Sequence, residues 1–156
     1  MSVYKSKIGN IYLKVKEDAL VGVSFNSYDL ELKETDLTIR VKKYLDDYFN
    51  KKKPLINFKY ELIDVTPFQR LVLNTLKDNV KYGEVITYKD LGNLVLKKRD
   101  DNKQISYQAI GKALNKNPLA ILIPCHRVIG SDNTLKGYAY GLDRKKFLLD
   151  LESTKN

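Results

Sequence analysis

The chain of 156 residues has almost none of the side chains that build metal or disulfide sites, with one cysteine and one histidine in total. A single cysteine excludes an internal disulfide and a structural zinc site built from the cysteines of one chain. With one histidine as well, we expect no protein-bound metal and no cofactor. A free thiol that has to stay reduced is typical of the cytoplasm, or of the nucleus if the source is a eukaryote.

Long apolar runs are also missing. No stretch could span a bilayer and the N-terminus lacks the pattern of a signal peptide, so we expect no membrane partner. Acidic residues are too few to balance 28 lysines and arginines, which leaves a formal charge of +9. From Pro67 onwards the basic residues outnumber the acidic ones by 16 to 9. Such a segment favours a polyanion, because each neutralised phosphate releases counterions, although a lysine-rich surface can also serve solubility alone.

The one cysteine and the one histidine are neighbours, in Ile123-Pro124-Cys125-His126-Arg127-Val128. A thiol becomes a nucleophile when it loses its proton, an imidazole can accept that proton near neutral pH, and Arg127 adds a cation that favours the thiolate. Neighbours on an extended segment point to opposite sides, so we expect the proton to pass from Cys125 to His126 through a water molecule. The alternative is a lone cysteine that packs as a small inert apolar residue.

The segment before this pair is apolar and bounded by prolines. Leu119 to Ile123 lies between Pro118 and Pro124, which predicts a buried strand or core segment. Because Pro124 fixes its own φ and has no N–H group, the chain leaves the core in a defined direction just before the thiol. This setting favours a reactive site over an inert cysteine.

We expect two lobes, of which residues 1–64 form a β-rich one. Apolar and polar residues alternate from Ile11 to Val15 and again from Val21 to Phe25, which predicts a β-hairpin. A helix that ends before Pro54 follows, and its apolar stripe consists of Val41, Tyr44, Leu45, Tyr48 and Phe49. Residues Leu55 to Tyr60 are predicted to return as a strand.

Residues 65–156 are predicted to form a helical lobe. A first helix begins at Thr66-Pro67, where a capping hydroxyl precedes a proline. Its buried stripe consists of Phe68, Leu71, Val72 and Leu76. After a turn, Thr87 caps a short second helix that ends near Leu96, and a charged loop covers residues 97–104.

A third helix is predicted from Tyr107 to Asn115, with Ser106 as its cap. The side chains expected to face inwards are Tyr107, Ile110 and Leu114. The outward face is mostly small and consists of Gln108, Ala109, Gly111, Lys112 and Ala113. Two short helices in a basic lobe suggest a helix-turn-helix, and small outward residues favour close contact that tolerates any DNA sequence. Two packed core helices would give the same pattern.

A turn at residues 130–133 and a loop rich in glycine and tyrosine, Thr134 to Gly141, precede the last helix. Tyr138 and Tyr140 can line a slot for a flat ring, or they can act only as surface anchors. The last helix ends near Glu152, and its inward residues are predicted to be Phe147, Leu148 and Leu151.

Together these segments resemble the O6-alkylguanine-DNA alkyltransferase family, also called methylated-DNA–protein-cysteine methyltransferases. The matching residues are Gly83 to Tyr88, Asn117-Pro118, Ile123 to Val128, Gly137 to Leu142 and Glu152. The resemblance implies an α+β protein with a ribonuclease-H-like β-sheet lobe and a winged helix-turn-helix lobe that enters the minor groove. It implies a monomer that binds double-stranded DNA containing O6-alkylguanine, rotates the damaged nucleotide out of the duplex and accepts its alkyl group irreversibly. O4-alkylthymine stays open as a second substrate.

The resemblance also assigns roles to residues of this chain. Cys125 attacks the alkyl carbon, His126 takes the thiol proton through water, and Glu152 orients the imidazole. Asn117 braces the segment that carries the thiol, and Tyr88 crowds the DNA backbone during flipping and offers its hydroxyl to the base. The pocket wall corresponds to Val128, Tyr138, Ala139 and Tyr140. The DNA-binding residues correspond to Gln108, Ala109, Gly111, Lys112 and Arg127.

The chain departs from the family pattern at three places. Gln108 stands where members carry the arginine that fills the space left by the flipped base, and the 97–104 loop is longer than usual. Tyr140 replaces a glycine common in the family, which predicts a narrow pocket that favours methyl over benzyl groups. Two other functions stay open: a non-catalytic alkyltransferase-like damage-binding module, which would lack the acceptor Cys125, and a thiol hydrolase, for which no oxyanion-hole glycine pattern surrounds the thiol.

Overall fold

The computed structural model describes residues 1–99 and 103–153, and these form two compact units. The first unit contains Met1–Ile63 together with Pro118–Ala120. The second contains Asp64–Asn117 and the chain from Ile121 onwards. Helix and sheet are mixed along the chain, which confirms the predicted α+β class.

The first unit is built on an antiparallel sheet in the order β1 (Ser2–Ser6), β2 (Gly9–Lys16), β3 (Ala19–Ser24). The hairpin of β2 and β3 confirms the prediction, and Ile11 and Leu13 are fully buried on its inner face. Strand β1 was missed, because its short polar sequence has too little apolar alternation to indicate a strand.

Helix α1 (Asp36–Phe49) packs on this sheet and confirms the predicted helix. The Thr35 hydroxyl caps it by accepting a hydrogen bond from the backbone N–H of Thr38. The strand predicted at Leu55 to Tyr60 is wrong. This segment meets β3 only in an isolated bridge between Tyr60 and Leu20, so most of its backbone has no strand to pair with.

The second unit contains helices α2 (Pro67–Asn79), α3 (Tyr88–Lys98), α4 (Tyr107–Asn115) and α5 (Leu142–Glu152). The hydroxyls of Thr66, Thr87 and Ser106 cap α2, α3 and α4, as their positions in the sequence predict. A short parallel pair, β4 (Ile86–Thr87) and β5 (Val128–Ile129), joins the start of α3 to the segment that follows Cys125. Residues 100–102 of the predicted charged loop lie outside the described residues.

Burial differs from the prediction at several helical positions. Tyr107 is 58% exposed, whereas Ala113, predicted to face outwards, is 2% exposed. Tyr107 is the first residue of α4, where no preceding turn exists to cover it. On α2 the fully buried apolar side chains are Val72, Leu73 and Leu76, whereas the predicted Phe68 and Leu71 are half-buried. On α5, Phe147 and Leu151 are likewise half-buried.

The apolar run Leu119 to Ile123 is buried throughout, but it forms core turns instead of a strand. Ile121 has a φ of +71°, which breaks the extended backbone that a strand requires. Leu119 keeps one parallel bridge, to Val23. No helix within the described ranges is long and apolar enough to cross a membrane.

Candidate active site

Cys125 lies in a single 3₁₀ turn, Cys125–Arg127, which begins directly after Pro124. The turn is closed by the backbone N–H of Arg127, which donates to the Pro124 carbonyl at 2.9 Å. The expected extended conformation is therefore wrong here. Consecutive side chains of a 3₁₀ turn point about 120° apart, so Cys125 and His126 still face different directions. All three side chains of the turn are buried, with His126 at 0% exposure.

The Cys125 thiol is held by polar groups in the last turn of α4 and just after it. Its Sγ donates to the Leu114 carbonyl at 3.5 Å, and the Asn117 side chain hydrogen-bonds the sulfur. Asn117 Nδ2 also donates to the Ile123 carbonyl at 2.8 Å, so one amide binds both the thiol and the chain that leads to it.

Burial raises the pKa of the Cys125 thiol to about 12, and Asn117 and Lys145 lower it only in part. The thiol is therefore neutral in the free protein. The sequence predicted that Arg127 would favour the thiolate, and this is wrong, because the Arg127 guanidinium is bound elsewhere.

His126, Arg127 and Glu152 form one buried network. His126 Nε2 lies 2.6 Å from Glu152 Oε2, and Arg127 Nε lies 2.7 Å from Glu152 Oε1. Arg127 also donates to the Val80 carbonyl at 3.0 Å. A carboxylate can only accept, so His126 carries a proton on Nε2 and leaves the lone pair on Nδ1. Burial lowers the pKa of His126 although Glu152 opposes this, so the imidazole is a neutral base.

Glu152 stays ionised in this network. Burial alone would raise its pKa, but the hydrogen bonds and charges of His126 and Arg127 outweigh burial and lower the pKa to about 2. Arg127, which the family resemblance assigned to DNA binding, is 8% exposed and paired with Glu152, so its contact with DNA stays a prediction. The ion pair of Arg127 with Glu152 links the Cys125 turn to α5.

Sequence reasoning missed Lys145, which is 0% exposed on α5. Its ammonium donates to the carbonyls of Val128, Lys136 and Gly137. A signal was present, since Lys145, Leu148 and Glu152 follow each other at i, i+3 and i+7 and share the buried face of the helix.

Of the four predicted pocket-wall residues, Tyr138 lies against the His126 ring. Tyr138 meets His126 with ring centroids 6.4 Å apart, and it meets Tyr140 edge-on at 5.6 Å. Within the described residues the Tyr138 hydroxyl is buried without a hydrogen-bond partner, and burial raises its pKa. Val128 contributes its carbonyl to Lys145 while its side chain is fully buried, and Ala139 is exposed.

A groove of about 460 Å³ opens beside this site, between the first turn of α3, the outer face of α4 and the loop at residues 130–137. Tyr88, Gln108 and Gly111 are among its lining residues, whereas Ala109 and Lys112 are not. The lining residues that the sequence reasoning missed are Lys89, Tyr107, Asn115, Gly130, Ser131, Lys136 and Gly137. The hydroxyl of the half-buried Tyr88 donates to the Lys136 carbonyl at 3.4 Å. Burial, and then the neighbouring Cys125, raise its pKa.

No group of three or more metal-binding His, Cys, Asp or Glu side chains occurs among residues 1–99 and 103–153. The reactive groups that the structure brings together at the site are one thiol, one neutral imidazole fixed by a carboxylate, and one buried ammonium. This set suits nucleophilic transfer to sulfur.

Comparisons with known proteins agree with this geometry. The family "6-O-methylguanine DNA methyltransferase, DNA binding domain" matches residues 67–154. The chain is 38% identical to a methylated-DNA–protein-cysteine methyltransferase of Methanosarcina barkeri, over 96% of this chain and 94% of that protein. It is 34% identical to the one from Metallosphaera sedula, over 97% and 91%. Its fold matches the crystal structure of Mycobacterium tuberculosis OGT in complex with DNA, with a TM-score of 0.84 and 28% identity over 97% of this chain and 91% of that one. The chain therefore belongs to the methylated-DNA–protein-cysteine methyltransferase family.

Proposed function

We propose that this protein repairs DNA by direct reversal, transferring the alkyl group of O6-alkylguanine to Cys125 once per molecule. The observation that carries the proposal is the placement of the chain's one cysteine in the turn next to a neutral imidazole, whose Nε2 proton is fixed by Glu152 at 2.6 Å. A base in this state can take the thiol proton at neutral pH. Membership of the family supports the assignment of sulfur as the acceptor.

The transfer is a displacement at the alkyl carbon. Cys125 gives its proton, through water, to Nδ1 of His126, and the sulfur electron pair forms the new S–C bond. The bond between the carbon and guanine O6 breaks, and its electron pair stays on the base, which takes up a proton. The product is a thioether, which water does not reopen, so each molecule acts once.

Entry of the base into the site requires that the damaged nucleotide leave the duplex, because a buried thiol cannot reach an alkyl group inside the base stack. The groove beside α4 supports this step. Tyr88 is one of its lining residues, and we assign it the role of crowding the DNA backbone and offering its hydroxyl to the base. Gln108 lines the same groove, and we assign it the hydrogen bond to the orphaned cytosine. Gly111 also lines the groove and has no side chain, which would let α4 approach the DNA closely.

The partner that fits this proposal is double-stranded DNA with an O6-alkylguanine lesion, bound by one copy of the chain. The residues named for these roles lie in the second unit, which supports residues 65–156 as the lobe for DNA binding and alkyl acceptance. The neutral thiol also fits a reducing compartment such as the cytoplasm.

Intact mass measurement tests the proposal. After the protein is mixed with a duplex oligonucleotide containing one O6-methylguanine, we expect each molecule to gain the mass of one CH₂ unit, located on Cys125, and no second turnover. A duplex with unmodified guanine is the control. Binding without a change in mass would identify a damage-binding module instead, and repeated turnover of an ester would identify a hydrolase.

The width of the pocket is a second testable property. The Tyr140 ring lies edge-on to Tyr138, and we propose that it takes space that a benzyl group would need. Tyr140→Gly should speed transfer from O6-benzylguanine by roughly tenfold relative to O6-methylguanine, the scale expected for one steric contact in a pocket. Tyr140→Phe, which keeps the ring, is the matched control. Equal rates on the two lesions in the unaltered protein would contradict the prediction.

A further inference from the structure

Lys145 is a buried cation for which the chemistry above has no use. It projects from α5 and is 0% exposed. Its three hydrogen bonds all go to backbone carbonyls, one at Val128 in β5 and two at Lys136 and Gly137 in the loop beside the groove. A buried lysine normally has a carboxylate partner, because desolvation of the charge is otherwise strongly unfavourable.

The hydrogen bonds themselves indicate the charge state. An ammonium donates three N–H groups, whereas a neutral amine has only two, so three accepting carbonyls match the charged form. Burial lowers the pKa of Lys145 to about 8, and the neighbouring Cys125 opposes this. Lys145 is thus mostly protonated at pH 7, although its pKa lies only about one unit above that pH.

The titratable groups that face Lys145 come from two other elements. They are Cys125 and His126 of the 3₁₀ turn, whose pKa values Lys145 lowers, and Tyr88 of α3, whose ring centroid lies 6.0 Å from Nζ. Tyr88 is neutral, since burial raises its pKa. The other nearby cation, Arg127, is already neutralised by Glu152. Lys145 therefore supplies the positive charge that an anion on Cys125 would meet.

We infer that Lys145 is the positioning residue for the reactive sulfur: three backbone carbonyls hold its ammonium in place, and its charge offsets the thiolate that forms when Cys125 gives up its proton. This inference deepens the proposed function and rests on it for the role of Cys125. The thiol proton goes to His126, and Lys145 keeps all three of its own. The same carbonyls join β5 to the loop at Lys136 and Gly137, so the charge and the shape of the pocket depend on one side chain.

Pairing with Lys145 should determine how the alkylation rate of Cys125 depends on pH. Thiolate with ammonium and thiol with neutral amine carry the same number of protons, so the ratio of these two states does not change with pH. The fraction of molecules with thiolate and ammonium therefore stops rising once Lys145 begins to lose its proton. The alkylation rate of Cys125 should climb with pH and flatten above about pH 8, the pKa of Lys145. It should rise again only when thiolate forms beside the neutral amine.

Iodoacetamide is the probe, with the rate at Cys125 followed by intact mass between about pH 6 and 10. Lys145→Met keeps the length of the side chain without its charge. Its rate at neutral pH should fall roughly tenfold and rise with pH without a break, approaching the wild-type rate at high pH, as for one unit of change in the thiol pKa. The matched control is Lys146→Met, since Lys146 is exposed and pairs only with Asp150. Its profile should equal that of the wild type.

A folded Lys145→Met protein with the wild-type rate and the same flattening would overturn the inference. If this variant does not fold, the wild-type profile alone decides, because a rate that rises without a break through pH 8 to 9 would also overturn it. The small probe separates this inference from the proposed function. A protein that reacts with iodoacetamide as described but takes no methyl group from DNA would refute the repair function and leave the pairing of Lys145 with Cys125 standing.

Discussion

Replacing Cys125 with alanine is expected to abolish transfer of the alkyl group from DNA, with no slow residual activity. The chain has no second cysteine to act as acceptor, and its one histidine is held by Glu152 within the core. The alanine variant should fold, because it removes one sulfur atom from a turn whose backbone hydrogen bonds do not involve the thiol. DNA binding should persist, since the groove beside α4 is formed by other residues.

Cys125→Ser is the matched variant for this experiment. A serine hydroxyl can keep the contacts that the thiol makes with Leu114 and Asn117, but it ionises far less readily than a thiol and is a much weaker nucleophile toward an alkyl carbon, even with His126 beside it. Both variants should bind duplexes containing O6-methylguanine with wild-type affinity and leave the lesion unchanged in a digest of the oligonucleotide. Restored guanine in the presence of either variant would refute sulfur as the acceptor.

Glu152→Gln is expected to lower both stability and activity. Glu152 accepts from two donors, His126 Nε2–H and Arg127 Nε–H. An amide has a single acceptor oxygen, so its NH₂ group would have to face one of these N–H groups. The buried Arg127 would also lose its counter-charge, a change that typically costs about 3–5 kcal/mol of unfolding free energy. Loss of imidazole orientation should slow transfer by about 10²–10⁴-fold, the usual contribution of a positioned base.

Stability as a function of pH separates these effects. The pKa of Glu152 in the folded protein, about 2, lies below the ordinary glutamate pKa of 4.5 that applies in the unfolded chain. A lowered carboxyl pKa adds stability above the unfolded pKa, and this is lost as pH falls towards the folded pKa. The difference corresponds to roughly 3 kcal/mol. The free energy of unfolding of the wild type, measured with urea, should therefore fall as the pH is lowered from about 4.5 to 2. The Gln variant should lack this part of the decline. Parallel curves for the two proteins would contradict the assignment.

The sequence alone predicted those elements that are determined by residues close together in the chain. Ser106 before an apolar period placed α4 from Tyr107 to Asn115, because a hydroxyl cap and a helical stripe act within a few residues. The strand expected at Leu55 to Tyr60 failed for the opposite reason. A strand needs a partner along its length, and nothing in the segment itself shows whether one is available.

The sequence likewise predicted one part of the candidate site and missed another. The adjacent Cys125 and His126 indicated a nucleophile and its base, but the sequence did not show that the charged residues around them are buried. Arg127 was expected at the DNA surface and Lys145 was not considered, because single charged residues in a sequence usually indicate exposure. Their burial depends on acceptors brought by other elements, the Glu152 carboxylate for Arg127 and three backbone carbonyls for Lys145. Such pairings arise only when the helices pack.

The high pKa of the Cys125 thiol has a consequence for how long the protein stays usable. Because burial raises the pKa of the thiol to about 12, the sulfur is almost entirely protonated at pH 7. A reagent that works once is wasted whenever a stray electrophile or oxidant reaches its sulfur, and both attack the thiolate form. Keeping the sulfur protonated until a damaged base arrives preserves each copy for a lesion. The cell's supply should then decline with the number of lesions, and hardly at all with time.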